Sequence, residues 1–99
     1  MATPTNKMRA VHPGEILRED FLAPAEMSVN ALATALRVPA TRLHEIVNER
    51  RGISADTAMR LARYFGGDAQ SWLNLQSVYD LKTLATASKI EKEVLPRAA

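Results

Sequence analysis

Ninety-nine residues allow one domain around one core. The apolar share is 46%, and no apolar run approaches the roughly 18 residues of a membrane span. The absence of cysteine excludes a disulfide framework and thiolate metal sites, and the N-terminal Met-Ala-Thr-Pro-Thr-Asn-Lys lacks a secretory core, so a soluble, cytoplasmic setting is the expectation. The net charge of +2 is small but unevenly spread. Residues 12–36 carry Arg18 against Glu15, Glu19, Asp20 and Glu26, whereas residues 37–63 carry Arg37, Arg42, Arg50, Arg51, Arg60 and Arg63 against Glu45, Glu49 and Asp56. A basic middle is the footprint of a phosphate-backbone partner or of a solvated arginine-rich face, and charge alone does not separate the two.

In chain order, residues 1–11 show no apolar periodicity and are expected to form a flexible N-terminal arm. Pro13 suits the first position of helix one, whose inner side is Ile16, Leu17 and Phe21 and whose end is expected before Pro24. Ser28 is the N-cap of helix two, with Val29, Leu32, Ala33 and Leu36 at the spacing of a buried helical stripe. Pro39 opens helix three, in which Leu43, Ile46 and Val47 face inward and Asn48 is the end. Ser54 caps helix four (Ala58, Leu61, Ala62, Phe65), which Gly66-Gly67 closes, and Asp68 caps helix five. On helix five, Trp72, Leu73, Leu75, Val78, Tyr79, Leu81 and Leu84 span an arc wider than one core-facing stripe requires. The expected layout is a helix-turn-helix domain over 12–86 with a tail, 87–99, in which Ala87 to Val94 could weakly continue the helix and Pro96 ends any such extension.

Helices two and three, about three residues apart, have the form of a helix-turn-helix, whose second helix enters the major groove with its N-terminal residues toward base edges. With Leu43, Ile46 and Val47 inward, Thr41, Arg42, His44, Glu45 and Asn48 lie on accessible faces. Thr41 can meet a base or a thymine methyl, Arg42 a guanine or a phosphate, and Glu45 the cytosine amino group. Arg50 and Arg51, just past the helix, are placed to hold phosphates. Each residue also has a structural reading: Thr41 suits the helix's first turn, and Glu45 suits an ion pair with Arg42 or its neighbours.

The run from Pro39 to Ala58, PATRLHEIVNERRGISADTA, resembles the central signature of HigA-type antitoxins, a branch of the XRE/lambda-repressor-like family. His12-Pro13-Gly14-Glu15-Ile16-Leu17 is similar to that branch's opening, Arg60 to Gly66 to its fourth helix, and Trp72 to Gln76 with Tyr79-Asp80-Leu81 to its fifth, so the resemblance spans about residues 8–84. It implies an all-α, five-helix, dimeric DNA-binding domain that represses its own operon and neutralises a HigB-type, RelE-like mRNA-cleaving toxin. The alternative within the same class is a stand-alone repressor with no toxin. By the resemblance, base reading falls on Ala40, Thr41 and Glu45, with Arg42, Arg50 and Arg51 at groove or backbone contacts. Together with Ser28 and Asn48 these form the expected DNA-binding set. There are departures. Arg37 and Glu49 stand where glycine is usual, each costing roughly 1 kcal/mol if the backbone there is left-handed. Val29 replaces a phosphate-binding glutamine. The family often begins near the equivalent of Met8.

Two histidines and no cysteine leave no nucleophile and base pair, so no catalytic residue, metal or cofactor is expected. His12 reads as an N-cap or staple, and His44 as a surface residue able to touch phosphate. The acidic front suits a basic partner protein, or equally the dipole of helix one. The surplus apolar surface of helix five nominates Trp72, Leu75, Val78, Tyr79 and Leu81 as a homodimer interface, with an inverted-repeat operator as the consequence of its two-fold axis. The competing expectation is that the tail folds back over this surface.

Overall fold

The computed structural model describes residues 9–98, so residues 1–8 of the expected arm and Ala99 lie outside the described residues. Arg9 donates to both oxygens of Glu15 (2.9 and 3.1 Å), and its carbonyl accepts from Lys82 Nζ (3.4 Å).

Helix α1 covers 13–25 and starts on His12, whose Nδ1 accepts the Gly14 N–H at 2.8 Å, with Pro13 in the first turn. It is α-helical over Pro13–Ile16, π-helical over Leu17–Leu22 and α-helical again over Ala23–Ala25. The expected stop before Pro24 is therefore corrected: the chain stays helical through the proline. The wider turn of the π-helical stretch makes room for a ring that would otherwise strike the carbonyl four residues back. It also brings Leu17 and Leu22, five residues apart, onto one buried side.

Helix α2, Val29–Leu36, begins where the Ser28 hydroxyl accepts from Ala31 N (3.0 Å). Helix α3, Ala40–Val47, has Pro39 as its N-cap rather than its first residue, and ends on Asn48. Helix α4, Ala55–Phe65, is capped by Ser54 and released at Gly66 (φ 92°). Helix α5, Ala69–Thr83, is capped by Asp68, whose Oδ1 accepts from Ser71 N at 2.8 Å.

Helices α1, α2 and α3 all end with a left-handed residue that is not glycine: Glu26 (φ 53°), Arg37 (φ 62°) and Glu49 (φ 62°). Each end closes in the same way. After α3, Arg50 N bonds Glu45 O (2.8 Å) and Glu49 N bonds Ile46 O (2.9 Å). After α2, Val38 N bonds Ala33 O (3.1 Å) and Arg37 N bonds Thr34 O (3.2 Å). These paired bonds form the Schellman motif, and they hold the strained residue in place.

The core gathers Leu17 and Leu22 of α1, Leu32 and Leu36 of α2, Leu43, Ile46 and Val47 of α3, Ile53, Ala58 and Leu61 around α4, and Trp72 of α5. A sixth helix, α6 (Ala87–Glu93), follows a break at Leu84 and buries none of its residues. The described residues are thus all-helical with six helices, where five were expected. The tail does not fold back over α5: Val78 is 53% and Leu81 74% exposed, and Ile90, Val94 and Leu95 of the tail are exposed too.

Candidate nucleic-acid interface

Helix α3 owes its position to three fully or nearly buried side chains, Leu43, Ile46 and Val47, which fix its rotation about its own axis. Thr41, His44 and Asn48 are consequently exposed, and Ala40, Arg42 and Glu45 half-buried along the rim. All five polar members of this face come to one surface. His44 Nε2 lies 2.9 Å from Asn30 Oδ1, tying the outer side of α3 to α2.

The cations of the site are not equivalent. Arg42 Nη1 donates to Asp56 Oδ2 at 2.9 Å and reaches Thr57 Oγ1 at 3.5 Å. Arg51 pairs with Glu45 at 2.9 Å, so the expected partnership of Glu45 with an arginine exists but with Arg51 and not Arg42. Arg50 is exposed and makes no ion pair among the described residues. Ser28 is exposed and already accepts its capping bond from Ala31 N, and Val29 packs against the core. The exposed Arg51–Glu45 pair contributes about 1 kcal/mol or less, so at Arg51 a phosphate can exchange for the carboxylate at small cost.

Four supporting residues are not singled out from the sequence, although the i,i+4 spacing of Asp56 and Arg60 on one helix is a signal for their pairing. Arg18 Nη1 donates to the Val47 carbonyl at the C-terminus of α3, and Nη2 lies 3.5 Å from Glu49. Gln76 Oε1 accepts Ile53 N at 2.7 Å, pinning the loop that bears Arg50 and Arg51 to α5. Arg60 donates through Nε to Asp56 Oδ2 (2.9 Å) and through Nη1 to the Leu36 carbonyl (2.9 Å), and so links α4 to the end of α2. Asp56 joins Arg60 to Arg42. Hydrogen bonds from Arg60 and then Arg42 hold its carboxyl below the usual range, so it is ionised at neutral pH.

The acidic front is partly neutralised. Glu15 is held by Arg9, whose hydrogen bonds lower its pKa, and Glu19 is paired with Arg18 at 3.0 Å. Glu26 ends α1 in left-handed geometry.

Of the five residues expected to pair protomers, Trp72 is corrected. It is buried in its own chain against Phe21, ring centroids 5.2 Å apart, and presents no surface. Tyr79 is half-buried, its ring set edge-on against His12 at 4.7 Å. Leu75 is half-buried, and with Val11, Ile16 and Val78 it lines a shallow groove between α1 and α5. Val78 and Leu81 remain open to solvent. Among the described residues no group of three or more His, Cys, Asp or Glu is arranged to hold a metal, and no helix is long and apolar enough to cross a membrane.

No family model matches the chain. Over 77 residues it is 66% identical to virulence-associated protein I of Dichelobacter nodosus, a span of 78% of this chain and 71% of that protein. It is 35% identical over 75 residues to antitoxin HigA-1 of Vibrio cholerae, covering 76% of this chain and 70% of the relative. The structure of Pseudomonas aeruginosa antitoxin HigA with the higBA promoter superposes with a TM-score of 0.87 at 52% identity, over 91% of this chain and all of that one. The chain belongs to the HigA-type antitoxin family of helix-turn-helix proteins.

Proposed function

We propose that this protein is the antitoxin of a HigBA-type system: a dimeric, sequence-specific DNA-binding protein that represses its own operon and neutralises a RelE-like mRNA-cleaving toxin. The observation that carries the DNA reading is the fixed rotation of α3. Three core residues lock one side, and Thr41, Arg42, Glu45 and Asn48 stand together on the other, with Arg50 and Arg51 beyond its end. Thr41, Arg42 and Glu45 read base edges, Ala40 offers an apolar contact, and Arg50 and Arg51 hold phosphates. The similarity to a HigA bound to promoter DNA supports this reading.

Val78 and Leu81, with Leu75 at the groove edge, supply the apolar surface by which two copies pair. A two-fold axis there presents two α3 helices to half-sites one DNA turn apart, about 34 Å, or a multiple of that. The toxin arm of the function follows from family membership. The expected setting is the cytoplasm, with operator DNA, the toxin and a second copy of the chain as partners.

The test is a mobility shift on the DNA upstream of the chain's own coding sequence, together with co-expression of the adjacent gene. A shift on that DNA that random duplex does not compete away, and relief of the neighbour's toxicity, are the expected results. No specific shift would overturn the repressor reading. A neighbour that is harmless alone, or stays toxic beside this chain, would overturn the antitoxin reading.

A further inference from the structure

Base reading by a flexible arginine depends on how the guanidinium is held before DNA arrives. The Arg42 guanidinium is engaged along one edge only: Nη1 meets Asp56 Oδ2 at 2.9 Å and Thr57 Oγ1 at 3.5 Å, while Nε and Nη2 make no hydrogen bond among the described residues. The same oxygen, Asp56 Oδ2, also accepts from Arg60 Nε at 2.9 Å, and Arg60 is itself anchored on the Leu36 carbonyl at 2.9 Å. The chain of bonds runs from the end of α2 through the first turn of α4 to the first turn of α3. It therefore spans every element of the helix-turn-helix and the helix behind it.

We propose that Asp56 is a positioning residue for DNA recognition: anchored by Arg60, it clamps one edge of the Arg42 guanidinium and leaves the Nε–Nη2 edge presented for the two major-groove acceptors of guanine. This rests on the reading of α3 as the recognition helix. A bidentate contact from arginine to guanine O6 and N7 needs two adjacent N–H groups in one plane, and a clamped fork satisfies that without ordering a free side chain on binding. Ordering one such side chain costs roughly two- to tenfold in affinity, so the clamp contributes about that factor per half-site. The Asp56 carboxylate is an exposed anion near DNA and repels phosphate, which opposes any general, sequence-independent benefit. Its effect must therefore show in selectivity.

The experiment uses a duplex selected by the wild-type protein from a random-sequence pool, beside a random duplex, in anisotropy titrations of wild type, D56N, D56E, R42A and R42A/D56N. Thermal unfolding of each variant confirms folding. D56N is expected to bind the selected duplex at least about fourfold more weakly over two half-sites while random-duplex affinity holds or rises. D56E, which restores a carboxylate, recovers most of the preference, and in the R42A background D56N costs nothing further on the selected duplex. Equal losses on both duplexes, an undiminished D56N effect without Arg42, or no loss at all would overturn the proposal. If R42A loses selectivity and D56N does not, the Asp56 inference alone falls. If R42A binds like wild type, the reading of Arg42 falls with it.

Discussion

Gly14→Ala tests the seat of the recognition helix. A Cβ at Gly14 would lie 1.8 Å from the Ile46 carbonyl oxygen and 2.7 Å from its carbon. Both are backbone atoms in the last turn of α3, so no rotamer change relieves the clash. To reach even the 3.0 Å that real Cβ contacts respect, α1 and α3 must part by about 1.2 Å. That separation loosens Leu17, Leu43 and Ile46, all fully buried. Overpacking of this kind costs about 1–3 kcal/mol, and alanine's better helix propensity returns about 0.5–1 kcal/mol. Because the backbone itself must move, the cost falls at the upper end of that range, and the net of about 2 kcal/mol lowers Tm by roughly 8–16 °C in a domain of this size. Circular dichroism melts measure it, and titration of promoter DNA well below the new Tm should show weaker binding by the displaced α3. A Gly14→Ala protein as stable as wild type would refute the close approach of α1 to α3.

Arg37→Gly removes a left-handed non-glycine residue from the turn between α2 and α3, and should raise Tm by several degrees, about 1 kcal/mol; an unchanged or lower Tm would deny the strain. Burial holds the His12 imidazole below its ordinary pKa of 6.5, against the pull of Glu49 and Asp80. Because the unfolded chain then takes up the proton first, the stability this group contributes is full above 6.5 and is lost as pH falls through the folded-state value. Tm should fall from about pH 7 to about pH 5, and His12→Asn, which keeps an acceptor for Gly14 N, should flatten that slope. Val78→Glu with Leu81→Glu should give a folded monomer by light scattering that binds promoter DNA far more weakly; a persistent dimer would place the contact elsewhere.

What could be read from the sequence was local. Ser28, Ser54 and Asp68 each announce a helix start because a cap acts within three residues, and Leu32, Leu36, Leu43 and Ile46 announce inner faces by spacing. The polar side of α3 follows from its inner side. The rest depends on contacts between distant residues. The passage of α1 through Pro24 requires a π-helical stretch that no single residue signals. The ties from Arg18 to Val47, Gln76 to Ile53 and Arg42 to Asp56 join residues 29, 23 and 14 apart, so no periodicity exposes them. Trp72 is assigned from the sequence to the dimer surface because the apolar arc of α5 is wider than one stripe, and only the placement of Phe21 against it puts it in its own core.

The central claim is that α3 reads bases while the loop after it holds phosphates. Salt-dependent titrations of Thr41→Ala, Arg42→Ala and Arg50→Ala on promoter and random duplexes test it most directly. Thr41→Ala and Arg42→Ala should weaken promoter binding selectively, by about 1–3 kcal/mol for a lost bidentate contact. Arg50→Ala should weaken both duplexes alike and reduce the salt slope by about 1 per lost contact. Equal losses on the two duplexes for all three variants would contradict the assignment of α3 as the reader.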